Sequence, residues 1–393
     1  MALFKLSLLI VSLLILPVGD GTSRARVSKT SSGIDQAKPF INVDGQDLRA
    51  KMAAAIRLAH SSSSSPYWTA YTFDVRPGVA VDMDTRNFDG RSNVYGDTVV
   101  SIGTSNGVTV ETRSLGIFFL RESGSDAITR VEVYNLDRKR EYSGYPVYWL
   151  GRGGNQESLS LLQELIQSSQ TNRISEHLVI AIALHDDPRV ATVLKDYVRG
   201  NAPGRVRSTA VFWLGQIGGE QPFLADLVRN QNESVEVRKE AAFAIGAGKE
   251  PGAMPILKSL YGSANNREIK DQIIFAASVN EDKKDAVDFL ISAAQNDSDH
   301  EVRKQAIFWL GQMAGQRAME ALGHTVDDSD AETEVQKQAV FAISQRNRNE
   351  AVPALIRIAR THPKAAVRKQ ALFWLGQTDD ERALELFKEI LAK

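Results

Sequence analysis

Few residues of this chain have both the type and the spacing that chemistry needs. A metal site of imidazoles and carboxylates requires those ligands at matching places on neighbouring elements. Of six histidines, one lies in a His-Glu step, His300-Glu301; Glu176-His177 runs the other way, and the remaining four stand apart. Asp82, Asp84 and Asp89 resemble the start of a calcium loop. The glycine demanded at its sixth position is Asn87, and the glutamate at its twelfth is Asn93. Nucleophile-elbow, zinc-protease and phosphate-loop motifs are absent, and there is no cysteine to act as nucleophile, thiolate ligand or crosslink. No catalytic or metal-ligating residue and no cofactor is therefore expected, and the chain reads as a binding protein.

Residues suited to binding recur instead. The pentapeptide FWLGQ occupies 212–216, 308–312 and 373–377, with YWLGR at 148–152 as a degenerate copy. Its tryptophans Trp213, Trp309 and Trp374, with the glutamines Gln216, Gln312 and Gln377, form a candidate contact row, because indole edges spaced by small residues make a bumpy groove. The competing assignment puts the rings in interfaces between helical hairpins, since Trp and Phe dominate cores. Five residues before each aromatic anchor stands a polar ladder of Arg207, Arg238, Lys270, Arg303, Gln336 and Arg368. Ion pairs to the adjacent repeat are the expectation for it, and a positive stripe for an acidic partner is the alternative. Lys239, Lys304, Lys337 and Lys369, one position later, are expected in solvent as partner contacts.

The elements that carry these rows repeat. Tyr148, Ile180, Phe212, Phe243, Phe275, Phe308, Phe341 and Phe373 follow one another at 32, 32, 31, 32, 33, 33 and 32 residues. In VRKQAIFWL (302–310) Val302, Ala306, Trp309 and Leu310 share a helical face, and Gly311 is expected to permit a turn before a second helix such as 351–360 or 382–391. Two helices in about 32 residues cannot bury their apolar faces alone, so units must stack. Asp299 precedes Val302-Arg303-Lys304-Gln305-Ala306, and Glu233 precedes Val237-Arg238-Lys239-Glu240-Ala241. This pattern resembles the HEAT-like repeats of the phycobilisome-lyase class over 144–393. The resemblance implies a mainly α fold, an alpha-solenoid of about eight hairpins whose second helices line the binding face, and a scaffold or adaptor role. Two relatives of that class are catalytic, bilin lyases and deoxyhypusine hydroxylase. The second supplies the alternative, a divergent metal-dependent oxidoreductase, although the His-Glu pairs it requires do not recur here.

The N-terminal third is built differently. Lys5, the apolar run 6–16, Pro17 and the small residues after it resemble a signal peptide over 1–21, too short to span a bilayer. Export to the periplasm or exterior follows as an expectation. Residues 22–46 read as a disordered linker. The region 47–143 reads as a short helix, 47–60 with Asp47 as its cap, and a small antiparallel β-rich module with strands expected at 68–73, 79–83, 98–103, 107–112, 115–121 and 128–134. Lys plus Arg, 47, nearly cancels Asp plus Glu, 48, so no global field draws in nucleic acid. The expected partner is a protein.

Overall fold

In a computed structural model, residues 40–392 are described except 63–65, 82–90, 96–97, 103, 106–107, 110–113, 123, 139 and 170. The signal-peptide and calcium-loop segments lie outside them. The described residues form sixteen α-helices and ten strands, and contacts divide the chain into two compact units that meet after Val190.

The first unit holds the β module. Helix α1 (Leu48–Ser62) begins where the Asp47 carboxylate accepts a 2.7 Å hydrogen bond from the Ala50 N–H, the capping bond its sequence implies. The main sheet has five strands in the order β1 (Ile41–Asn42), β10 (Val147–Arg152), β2 (Tyr67–Thr72), β8 (Leu115–Arg121) and β9 (Ile128–Asn135). Both faces are covered. Trp68, Phe118 and Tyr134 pack together on one face, while Tyr71 and Phe119 stack on the other, the side of Leu48 and Gly153. Shorter strands β3 (Val79–Val81), β4 (Arg91–Tyr95) and β5 (Thr98–Ile102) form a second sheet, and β6 (Thr104–Ser105) pairs with β7 (Val108–Thr109).

Three expectations are corrected here. The main sheet is mixed, not antiparallel, because β10 runs parallel to both β1 and β2. The linker expected to reach residue 46 includes strand β1, and the Val43 N–H donates to the Trp149 carbonyl at 2.9 Å. Most tellingly, YWLGR is a strand, with Tyr148 opposite Thr69 and Trp149 opposite Ala70. FWLGQ closes a helix that began a turn or more earlier at Val-Arg-x-x-Ala. YWLGR follows Gly144 and Pro146, and a residue before proline is driven out of the α region. With no helix to extend, Val147, Tyr148 and Trp149 take the β conformation their branched and aromatic side chains favour. The helical array therefore starts later than residue 144, with α2 (Asn155–Ser168) and α3 (Asn172–Ala183), and seven helical pairs follow the 32-residue period where about eight were expected.

Helix α4 (Arg189–Arg199) crosses the boundary into the second unit. There the first helices are α5 (Gly204–Ile217), α7 (Val235–Ala247), α9 (Arg267–Val279), α11 (His300–Gln312), α13 (Thr333–Ser344) and α15 (Ala365–Gly376). They alternate with second helices α6 (Gln221–Arg229), α8 (Ala253–Ser263), α10 (Lys283–Asn296), α12 (Gln316–Asp327), α14 (Arg348–Thr361) and α16 (Glu381–Leu391). Ser234, Asn266 and Asn347 cap α7, α9 and α14 by accepting bonds from the third backbone N–H.

The repeated glycine is not a turn. Gly215, Gly246 and Gly311 lie inside their helices, where a Cβ would meet the next first helix at 2.4 Å from the Ala244 oxygen, 2.3 Å from the Ala276 oxygen and 2.8 Å from the Ala342 Cβ. Consecutive first helices thus touch backbone to backbone, whereas consecutive second helices touch sparsely. The cationic ladder locks this stack. Arg207 donates from Nε to the Val198 carbonyl at 2.9 Å and pairs with Glu233 at 2.6 Å. Arg303 donates to the Asp297 carbonyl at 3.0 Å and reaches Glu332 at 3.3 Å. Lys270 pairs with Asp297 at 2.8 Å, and Gln336, buried, donates to the carbonyls of Val326 and Asp328. Each ties carbonyls at the end of the preceding helix, or the next acidic loop, to its own helix. The ladder is structural.

Candidate functional site

A helix brings residues three and four apart onto one face. Around each phenylalanine anchor of the second unit, the residue three before and the residue four after therefore join it in a stripe. The anchors are Phe212, Phe243, Phe275, Phe308, Phe341 and Phe373; the first five are partly buried and Phe373 is 56% exposed. Their rings stack across the repeats, at 6.2 Å between Phe212 and Phe243, 5.5 Å between Phe243 and Phe275, and 6.4 Å between Phe308 and Phe341. Where the ladder would gap, tryptophan fills it, Trp309 at 4.8 Å from Phe275 and Trp374 at 5.1 Å from Phe341. The result is a continuous aromatic spine from Phe212 to Phe373.

Neutral polar groups flank the spine. Three residues before the anchors stand Thr209, Gln272, Gln305, Gln338 and Gln370, with Glu240 as the one acid; four after stand Gln216, Gln312, Gln345 and Gln377. Gln312, Gln345 and Gln377 are exposed, whereas Gln216 is partly buried and donates to the Ala247 carbonyl of the next repeat at 3.3 Å. Apolar rings with amide donors and acceptors on both sides can bury a partner's side chains and satisfy its backbone.

The tryptophan and lysine rows are placed differently from the sequence expectation. Trp213 is fully buried, so it fills an interface and offers no contact surface. Trp309 and Trp374 are partly buried, and their indole nitrogens are enclosed without a hydrogen-bond partner. Within each FW pair the phenylalanine, one residue earlier, is the ring on the spine's stripe. Lys239 pairs with Glu268 at 3.5 Å, Lys304 with Glu301 and Lys337 with Glu334 at 3.0 Å, and Lys369 stands exposed. At the same register α9 carries Asp271, so the lysines do not make a uniform positive stripe. The ring row lies on the first helices, not on the second helices expected to line a binding face.

Two carboxylates on these helices were not singled out by sequence reasoning. Glu240 makes no hydrogen bond or ion pair among the described residues, and burial raises its pKa to about 7. Asp271 has one carboxylate oxygen enclosed without a partner. Burial raises its pKa to about 6; Arg267 opposes that rise, and Asp299, Glu301 and Asp297 add to it.

The first unit contains a serine and a histidine in hydrogen-bond contact. Ser158 Oγ lies 2.7 Å from His185 Nε2 and 2.8 Å from the Tyr71 hydroxyl, and His185 Nδ1 lies 2.8 Å from the Ala181 carbonyl. A carbonyl only accepts, so Nδ1 carries the proton, Nε2 accepts from Ser158, and Ser158 accepts from Tyr71. All three side chains are fully buried, and burial lowers the His185 pKa to about 4. The chain of bonds ties β2 to α2 and to the end of α3. Among the described residues no three His, Asp or Glu side chains are grouped to hold a metal.

Residues 198–278 and 328–393 match the family model of HEAT repeats. These two segments of the helical array are HEAT repeats. Human deoxyhypusine hydroxylase in complex with glycerol aligns at 19% identity over 60% of this chain and 89% of that one, with a TM-score of 0.29. The Escherichia coli protein YibA aligns at 18% identity over 57% and 82%, with a TM-score of 0.32. The CpcE–CpcF complex of a Nostoc phycocyanin lyase aligns at 14% identity over 60% and 92%, with a TM-score of 0.30. These likenesses carry no conclusion about activity. No curated protein matches the chain.

Proposed function

We propose that this chain is an exported scaffold that binds another protein by taking an extended segment along the aromatic spine of its first helices, and that it acts by binding rather than catalysis. The supporting observation is the spine itself. A row of stacked rings running through six repeats, partly open along its length and flanked in most repeats by amides, is the kind of contiguous apolar surface that a partner's side chains can cover. The amide rows suit a segment without regular structure, whose backbone groups need partners. The export element of the proposal rests on the apolar run 6–16.

Selection of a displayed library of random peptides on the immobilised full-length protein tests the binding function. Enriched peptides are expected to bind the wild type and to lose binding to the Gln305→Arg/Gln338→Arg variant, which crowds the spine from its polar edge without touching the core. Enrichment of nothing, or peptides indifferent to that variant, would overturn it.

A further inference from the structure

We propose that helix α16 is a self-association surface, on which a second copy of this chain packs antiparallel across a two-fold axis over Leu384, Phe387 and Leu391. On α14, one repeat earlier, the residues 32 positions before Leu384, Phe387 and Ile390 are Val352, Leu355 and Ile358, and all three are buried. On α16 Leu384 is 53% exposed and Leu391 86%, Ile390 is open as well, and Phe387 is half-buried beside Gly376 of α15. Gly376 is itself exposed, although its equivalents Gly215, Gly246 and Gly311 meet the next first helix at close range. The other side of α16 is taken: Glu389 pairs with Arg360 of α14 at 2.6 Å, and Arg382 donates to the Arg348 carbonyl at 3.3 Å. An apolar stripe of the kind that stacks inside the array thus stands open on α16.

Spacing and charge select a second copy as the occupant. Leu384, Phe387 and Leu391 follow one another at three and four residues, the seam spacing of paired helices, and a two-fold axis supplies a matching stripe from the same residues. The charge beside the seam is self-complementary. Glu381 and Lys388, seven residues apart, stand on the same flank of it, the acid near the start of the helix and the base near its end. In an antiparallel pair Glu381 of each copy faces Lys388 of the other, twice over by symmetry. A parallel pair would set neither against the other. Lys388 also reaches Glu385 of its own helix at 2.9 Å, but both side chains are exposed, and a bond of that kind is exchanged at little cost.

Sedimentation equilibrium of the full-length protein over a range of concentrations reads the association. The wild type is expected to form a dimer, and Leu384→Glu/Leu391→Glu to stay monomeric with an unchanged melting temperature, since both positions are open. The apolar run 6–16 is present in both proteins, so association through it would not tell them apart. Glu381→Lys and Lys388→Glu are each expected to weaken the dimer about tenfold by setting like charges opposite one another, and the Glu381→Lys/Lys388→Glu double variant to restore it. A wild type that stays monomeric would overturn the proposal and leave the stripe to a different partner. A dimer that persists in Leu384→Glu/Leu391→Glu, or a double charge variant no tighter than the single ones, would overturn it as well.

Discussion

Replacing Glu240 by Gln should stabilise the protein, and by more as pH rises. An ordinary glutamate titrates near 4.5, and burial holds this one at about 7 in the folded chain. Between those values the folded state binds the proton that the unfolded state has released. Stability therefore falls as pH rises through that window, and it is fully present only below the unfolded value. Each tenfold step in proton affinity between the two states is worth about 1.4 kcal/mol, so the carboxylate costs roughly 1 kcal/mol at pH 5 and roughly 3 kcal/mol at pH 8. Gln has the same shape, has no proton to lose, and already occupies this register in α9, α11, α13 and α15. Urea unfolding of both proteins at the two pH values measures the difference. The gain from the variant should grow by about 2 kcal/mol from pH 5 to pH 8. A gain independent of pH, or a variant less stable at pH 8, would refute the reasoning and show that Glu240 has a partner in solution.

Two further predictions concern the stack and the first unit. Gly246→Ala should destabilise by about 1 to 3 kcal/mol, because the new methyl meets the Ala276 backbone, whereas Gly323→Ala on α12, with open space around it, should stabilise by about 0.5 to 1 kcal/mol through helix propensity alone. Denaturant unfolding reads both, and equal effects would contradict the backbone-to-backbone contact. The His185 imidazole resonance, assigned by its disappearance in His185→Gln, should titrate near pH 4 rather than 6.5. Its depressed pKa implies stability that is whole above pH 6.5 and is lost as pH falls toward 4, up to about 3 kcal/mol; a midpoint near 6.5 would show the imidazole open to water.

The seven helical pairs were legible because their spacing is a property of sequence: apolar anchors about 32 residues apart cannot arise from one compact core. The cationic ladder was legible too, as structural pairs, since a repeated charge meets a repeated neighbour. What misled was local likeness without context. YWLGR shares its pattern with three helical copies and became a strand, because the α conformation of a pentapeptide depends on the turn before it and Pro146 denies that turn. The parallel pairing of β10 with β2 joins residues some 80 positions apart, and no turn signal marks such a partnership. FWLG was divided between groove and core the wrong way round at Trp213, because a one-residue step rotates a side chain by about 100° and only the neighbouring helix decides which ring is covered. The glycine was read as a turn because sequence does not reveal how closely two backbones pass. Glu240 was visible as the odd acid in a row of amides, but its significance depended on knowing that nothing pairs with it.

Hydroxyl-radical footprinting of the full-length protein, with and without a peptide enriched on it, tests the central claim most directly. Protection is predicted at the partly open rings Phe243, Phe275, Phe308 and Phe341, on first helices, with Leu384 on the second helix α16 unchanged. Protection confined to second helices or to the sheet of the first unit, with the spine rings labelled as before, would contradict it.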